Sequence, residues 1–150
     1  MPSTLIDANL LLLLVVGRTD KALLVRHKRL QAFEDSDFDL LESLVVRLGP
    51  VLLSPYVLAE VSNLLRHIAE PDRSRISRSF AQLIVTGAEL PASADEAARH
   101  RAFDRLGLTD AALLTAAASG ATLLTADFDL HIAALKDGLR SINFNHARAS

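Results

Sequence analysis

Asp7, Glu60, Asp110 and Asp127 are the residues whose types and positions could do chemistry together. Asp7 closes a short β-prone run, Thr4 to Ile6, and a strongly apolar stretch follows it. An ionised carboxylate in such surroundings needs metal, a cation or hydrogen-bond donors to offset its desolvation. Asp127 closes the clearest strand candidate, residues 122–126, so both acids should open onto one rim of a sheet, with Asp129 a spare acid nearby. Glu60 falls about 40° outside the apolar stripe that Val57, Leu58, Val61, Leu64, Leu65 and Ile68 draw on a helix, where it can face a cleft wall or solvent. Asp110 is the sole charge on the most apolar helix expected in the chain. Each acid taken alone also has a plain structural role open to it: Asp7 and Asp127 as helix caps, Asp110 as a complement to a helix dipole, Glu60 as a solvated surface charge. Aimed at one rim, the four would repel one another unless cations neutralised them, and such hard oxygen ligands suit Mg²⁺ or Mn²⁺. A centre of that kind can activate a water, align it with phosphorus and stabilise the leaving oxygen, so no protein nucleophile is required. The lack of Cys, of a G-x-S-x-G elbow and of an H-E-x-x-H pair agrees with that chemistry.

The elements that must position these acids follow from local pattern. Thr4 to Ile6 predicts a strand, and the Leu-rich stretch after it a buried helix with no turn signal before Gly17. Residues 21–34 are polar and helix-compatible; Ser36 with Asp39 signals a cap for a helix that Gly49 and Pro50 stop. Residues 51–53 predict a second strand, and Ser54 with Pro55 the start of a helix running to about Ala69. A basic amphipathic helix over 72–85 and a brief apolar step at 88–90 come next, then a capping box of Ser93 and Glu96. Thr109 is expected to cap the apolar helix over 111–119, which Gly120 ends. The strand at 122–126, a helix over 128–136 and a last strand near 140–143 complete the chain. Short apolar strands alternating with helices imply an α/β fold, a mostly parallel sheet of about four to five short strands with helices on both faces. In such sheets the working site lies beyond the carboxyl ends of the strands.

The bulk composition narrows the classes. A length of 150 residues with 50% hydrophobic residues suits one domain with a sizeable core, and no linker or repeat divides it. A formal net charge of -2 argues against coating nucleic acid by charge alone, so such a partner must be won locally. The longest apolar run, residues 10–16, is far shorter than the roughly 20 residues needed to span a bilayer, and no basic segment precedes it. No membrane association and a cytoplasmic address are the expectation, to which zero cysteines are suited.

Four strings in order resemble PIN-domain ribonucleases, the class that includes the toxins of VapBC-type toxin-antitoxin pairs. L-I-D-A-N-L-L-L at 5–12 resembles the opening strand, with Asp7 matching the first acid and Asn9 the polar residue that helps to hold it. S-P-Y-V-L-A-E-V at 54–61 resembles the second motif and assigns the second acid to Glu60. L-G-L-T-D-A-A-L-L-T-A-A at 106–117 is the most specific match, with Asp110 as third acid. T-L-L-T-A-D-F-D-L at 122–130 resembles the closing motif, with Thr125 its hydroxyl and Asp127 its fourth acid. Ala8 stands where Thr is common in the family, and residues 18–50 are long beside compact toxins. The resemblance implies a PIN-like three-layer α/β/α fold, Mg²⁺- or Mn²⁺-dependent hydrolysis of RNA, homodimerisation and, for a toxin, a separate antitoxin.

The expected RNA surface is Arg66, Arg73, Arg75 and Arg78 with His67, joined by Arg99, Arg101 and Arg105; the same residues also fit an ordinary solvated helix face. With 5% aromatics there is little for base stacking. Two other classes stay open: a phosphatase or phosphotransfer domain built on Asp7, against which Asn9 stands where a second Asp would be wanted, and a non-catalytic module of the same fold.

Overall fold

The computed structural model describes residues 2–91 and 93–150. Its centre is a five-stranded, all-parallel sheet in the order β3-β2-β1-β4-β5, from β1 (Thr4–Ile6), β2 (Val51–Leu53), β3 (Ala88–Glu89), β4 (Thr122–Thr125) and β5 (Ser141–Asn143). Successive strands step outward from β1 on one side, and the chain then returns to lay β4 and β5 on the other. Strand order therefore reverses between β1 and β4, and a crevice opens at the carboxyl edge of a parallel sheet at that kind of switch point. The register is decisive for the site. Ile6 pairs with Leu124, so Asp7 and Thr125, each one residue further on, stand level at the carboxyl edge.

Helices flank the sheet to give three α/β/α layers. α1 (Ala8–Thr19) packs with α2 (Asp35–Leu48), α3 (Pro55–Leu65) and α4 (Asp72–Thr86). A second group, α5 (Ala94–Ala98), α6 (Phe103–Leu106), α7 (Leu108–Ala117) and α8 (Phe128–Lys136), gathers around α7, and α9 (Phe144–Ala149) follows β5. One apolar core links the two groups through Leu5, Leu10 to Val16, Leu113, Leu123 and Leu130, all nearly or fully inaccessible. α1 has no polar face because helices surround it. No helix among the described residues is long and apolar enough to cross a membrane.

Several local expectations shift. α1 runs through Gly17 rather than stopping there: a Cβ at that position would lie 2.2 Å from a carbon of the Phe38 ring, so this glycine admits α2 instead of ending α1. Residues 21–34 form two 3₁₀ turns, Lys21–Arg26 and Lys28–Leu30, not an α-helix. α2 begins at Asp35, where Asp37 Oδ2 accepts from the Glu34 N–H at 2.8 Å; Ser36 is already inside the helix. α3 ends at Leu65, short of Ala69. α7 begins at Leu108 with Gly107 as its N-cap at φ +87°, so Thr109 is a first-turn residue rather than the cap. Glycine tolerates that left-handed backbone, and its use there sets the entry angle of the helix that carries Asp110.

Candidate functional site

A helix that follows a parallel strand starts at that strand's carboxyl end, so helix N-termini collect on the rim where Asp7 and Thr125 meet. Asp7 is the N-cap of α1 and Asp127 the N-cap of α8; their Oδ1 atoms accept from the Leu10 N–H at 3.0 Å and the Leu130 N–H at 3.1 Å. Asp110 is the third residue of α7, and Glu60 projects from the second turn of α3. All four line one cleft of about 600 Å³, together with Asn9, Arg29, Asn63 and the 106–109 segment. The capping role considered for Asp7 and Asp127 is thus filled, and each also faces the cleft.

Asp7 is held most firmly. Its second oxygen accepts from the Thr125 hydroxyl and, at 3.0 Å, from the Ala126 N–H, while the same Thr125 oxygen accepts from the Asp127 N–H at 2.9 Å. One hydroxyl thereby ties two acids together. Asp7 is 8% exposed, and burial raises its pKa above the usual carboxylate value against three donors that act to lower it. Asp110 has no such donors among the described residues. Burial first, then the neighbouring charges of Asp127, Asp7 and Glu60, push its carboxyl up to about 7. That a single acid feels all three others is the electrostatic mark of a shared site.

The remaining expected residues fall as follows. Asn9 is exposed in the cleft and makes no side-chain hydrogen bond to Asp7 among the described residues. Asp129 is exposed in the first turn of α8 and does not line the cleft. Arg73 and Arg75 are paired with Glu70 and Asp20, Arg78 lines a separate groove with Arg18, and Arg66 caps the end of α3. Arg101 joins His100 in holding Asp137, and Arg99 pairs with Asp95. The cation that does border the four acids is Arg29, which no motif marks; Asn63 was legible only as the residue one turn beyond Glu60 on the same face.

The donor set suits a hard divalent cation, because four carboxylates with one bordering arginine leave excess negative charge to be compensated. Among the described residues no three acidic or histidine side chains close around a single ion as they stand. Mg²⁺ commonly keeps several waters, so a closed protein cage is not a requirement for binding it.

No protein-family model matches the chain, and no curated protein matches its sequence. Among solved structures it is similar to the crystal structure of PAE2754 from Pyrobaculum aerophilum, at 19% sequence identity over 99% of this chain and 97% of that one, with a TM-score of 0.59. At that identity the likeness speaks for the fold alone.

Proposed function

We propose that this protein is a metal-dependent endoribonuclease of the PIN type, hydrolysing phosphodiester bonds of RNA at the Asp7, Glu60, Asp110 and Asp127 cleft. The observation that carries the reading is the convergence of four carboxylates from four separate segments on one cleft, close enough that the charges of three add to burial in raising the pKa of the fourth. Asp7 and its three companions would hold Mg²⁺ or Mn²⁺. When bound, such a cation supplies Lewis-acid stabilisation of phosphate oxygens and a more acidic water.

The chain's own groups have distinct parts. Asp7, fixed by the Leu10, Thr125 and Ala126 donors, keeps its position with little freedom to reorient. Thr125 couples it to the backbone that carries Asp127. Asp110, pushed up by burial and then by its three acidic neighbours, is the carboxylate whose charge a bound cation would relieve most. Arg29 at the wall offers its guanidinium to a phosphate that four carboxylates alone would repel.

The finer reading, a type II toxin working as a homodimer in the cytoplasm and silenced by an antitoxin, rests on the motif resemblance. A second reading, a non-catalytic binding module of the same fold, is favoured by the absence among the described residues of a closed three-ligand group. Cleavage of a mixed RNA pool by purified protein with Mn²⁺, with EDTA and by Asp7→Asn separates the two. Cleavage that needs both metal and Asp7 supports the nuclease; no cleavage and no thermal shift with Mn²⁺ leaves the binding module.

A further inference from the structure

Beside the carboxylate cleft lies a second one of about 430 Å³, between the 3₁₀ turns and the end of α3. Arg29 and Leu64 line both, so the two clefts are neighbours on either side of that shared wall. The second cleft has a basic rim, with Lys28 and His67 beside Arg29, and an apolar floor that includes Leu64 and Ile68. Its charges are not used up internally. Arg26 is committed to Asp72, but Lys28 and Arg29 make no ion pair with any described residue, although Arg29 borders four carboxylates. Two adjacent, exposed and uncommitted cations next to an acidic centre are placed to hold an anion that must lie across both clefts.

We propose that the second cleft binds the nucleotide next to the scissile phosphate of a single-stranded RNA, with Lys28 and Arg29 holding its phosphates and Leu64 and Ile68 receiving its base. The proposal rests on the ribonuclease reading and names the part of the substrate that reading leaves open. A single strand can splay a nucleotide into a cleft of this size, whereas a paired duplex presents no free base to enter it. The lining has no Phe, Tyr or Trp ring and offers only the His27 and His67 imidazoles for stacking, so affinity comes mainly from phosphate contacts and varies little with base sequence. The carboxylate cleft, being acidic, does not attract the strand by itself; the neighbouring cations supply that attraction.

The test is binding of a short, unstructured, fluorescently labelled RNA to the full chain in EDTA, where hydrolysis does not intervene. Lys28→Ala/Arg29→Ala is compared with Arg47→Ala/Lys136→Ala, which removes the same charge from residues that line neither cleft and make no ion pair with described residues. The first pair should weaken binding about tenfold and flatten the salt dependence by about 1.4 in log-log slope, roughly 0.7 per lost phosphate contact; the control pair should change either value little. Equal losses in both pairs, no loss in either, undetectable wild-type binding, or equally tight and equally sensitive binding of duplex RNA would each overturn the proposal. RNA binding that depends on Lys28 and Arg29 without any cleavage under Mn²⁺ would defeat the nuclease reading and keep the cleft. Cleavage with KM unaltered in the first pair would do the reverse.

Discussion

The rim that carries Asp7, Glu60, Asp110 and Asp127 treats its acids differently from the clip that holds Asp137 at the end of α8. At the clip burial acts to raise the pKa of Asp137, but hydrogen bonds and charge from His100 and Arg101 outweigh it and hold the carboxyl below its usual value. His100 Nδ1 accepts from the Ala102 N–H at 3.0 Å, which leaves the proton on Nε2 to donate to Asp137 Oδ2 at 2.5 Å. Arg101 donates to the other oxygen at 2.7 Å. At the rim burial is joined by like charges, and Asp110 rises to about 7. The Asp137 carboxylate, matched by cationic and donor groups, joins α8 to the segment after α5; carboxylates gathered without a matching cation, Asp110 above all, are what a bound metal ion can use.

Replacing Asp110 should break this comparison most sharply. Asp110→Asn is expected to lower RNA cleavage by on the order of a hundredfold or more, while raising the melting temperature at pH 8 in EDTA, because it removes a carboxylate that stays ionised at that pH although folding buries it beside three others. Activity retained at the wild-type level would remove Asp110 from the site. Thr125→Val sharpens the role of the shared hydroxyl: it strips a donor from Asp7 and an acceptor from the Asp127 N–H, and cleavage should fall roughly tenfold with a measurable loss of thermal stability. Asp137→Asn should leave cleavage unchanged and cost only about 1 kcal/mol in denaturant unfolding, since water reaches the rim of that clip.

A pair of opposed pH dependences sharpens the same contrast. The Asp110 carboxyl is pushed up to about 7 in the folded chain from an ordinary value of 3.8, so the folded chain holds the extra proton between them. Its contribution to stability should therefore fall as pH rises from about 4 to about 7 and level off above. Asp137 acts oppositely, contributing above its unfolded value and losing that contribution as pH falls through its depressed folded one. Urea midpoints across this range, compared among wild type, Asp110→Asn and Asp137→Asn, resolve the two; Mn²⁺ at pH 7.5 should offset the Asp110 penalty if the cleft binds it.

Much of the architecture was legible because it is local. Thr4 to Ile6, residues 51–53 and 122–126 read as strands from short apolar runs, the last ending one residue earlier in the structure, and the alternation with helices implied a parallel sheet. Caps misled where a stronger local device took over: Gly107 with its positive φ starts α7 ahead of Thr109, and the Asp37 contact starts α2 ahead of Ser36. Gly17 read as a stop because a glycine chosen for close helix packing looks the same in sequence as one chosen for a turn.

By itself the sequence determined that Asp7 and Asp127 lie between a strand and a helix and that Asp110 lies in the first turn of an apolar helix, with Glu60 on the margin of an apolar stripe. Only the tertiary structure decided that β1 lies beside β4, that Ile6 pairs with Leu124, and hence that one hydroxyl bridges Asp7 to the backbone of Asp127. It also decided that Arg73 and Arg75 are committed to ion pairs while Arg29, in a 3₁₀ turn without a motif, borders the acids. The physical reason is range: capping and periodicity act over a few residues, whereas strand order and charge pairing depend on which surfaces the whole chain can bury together.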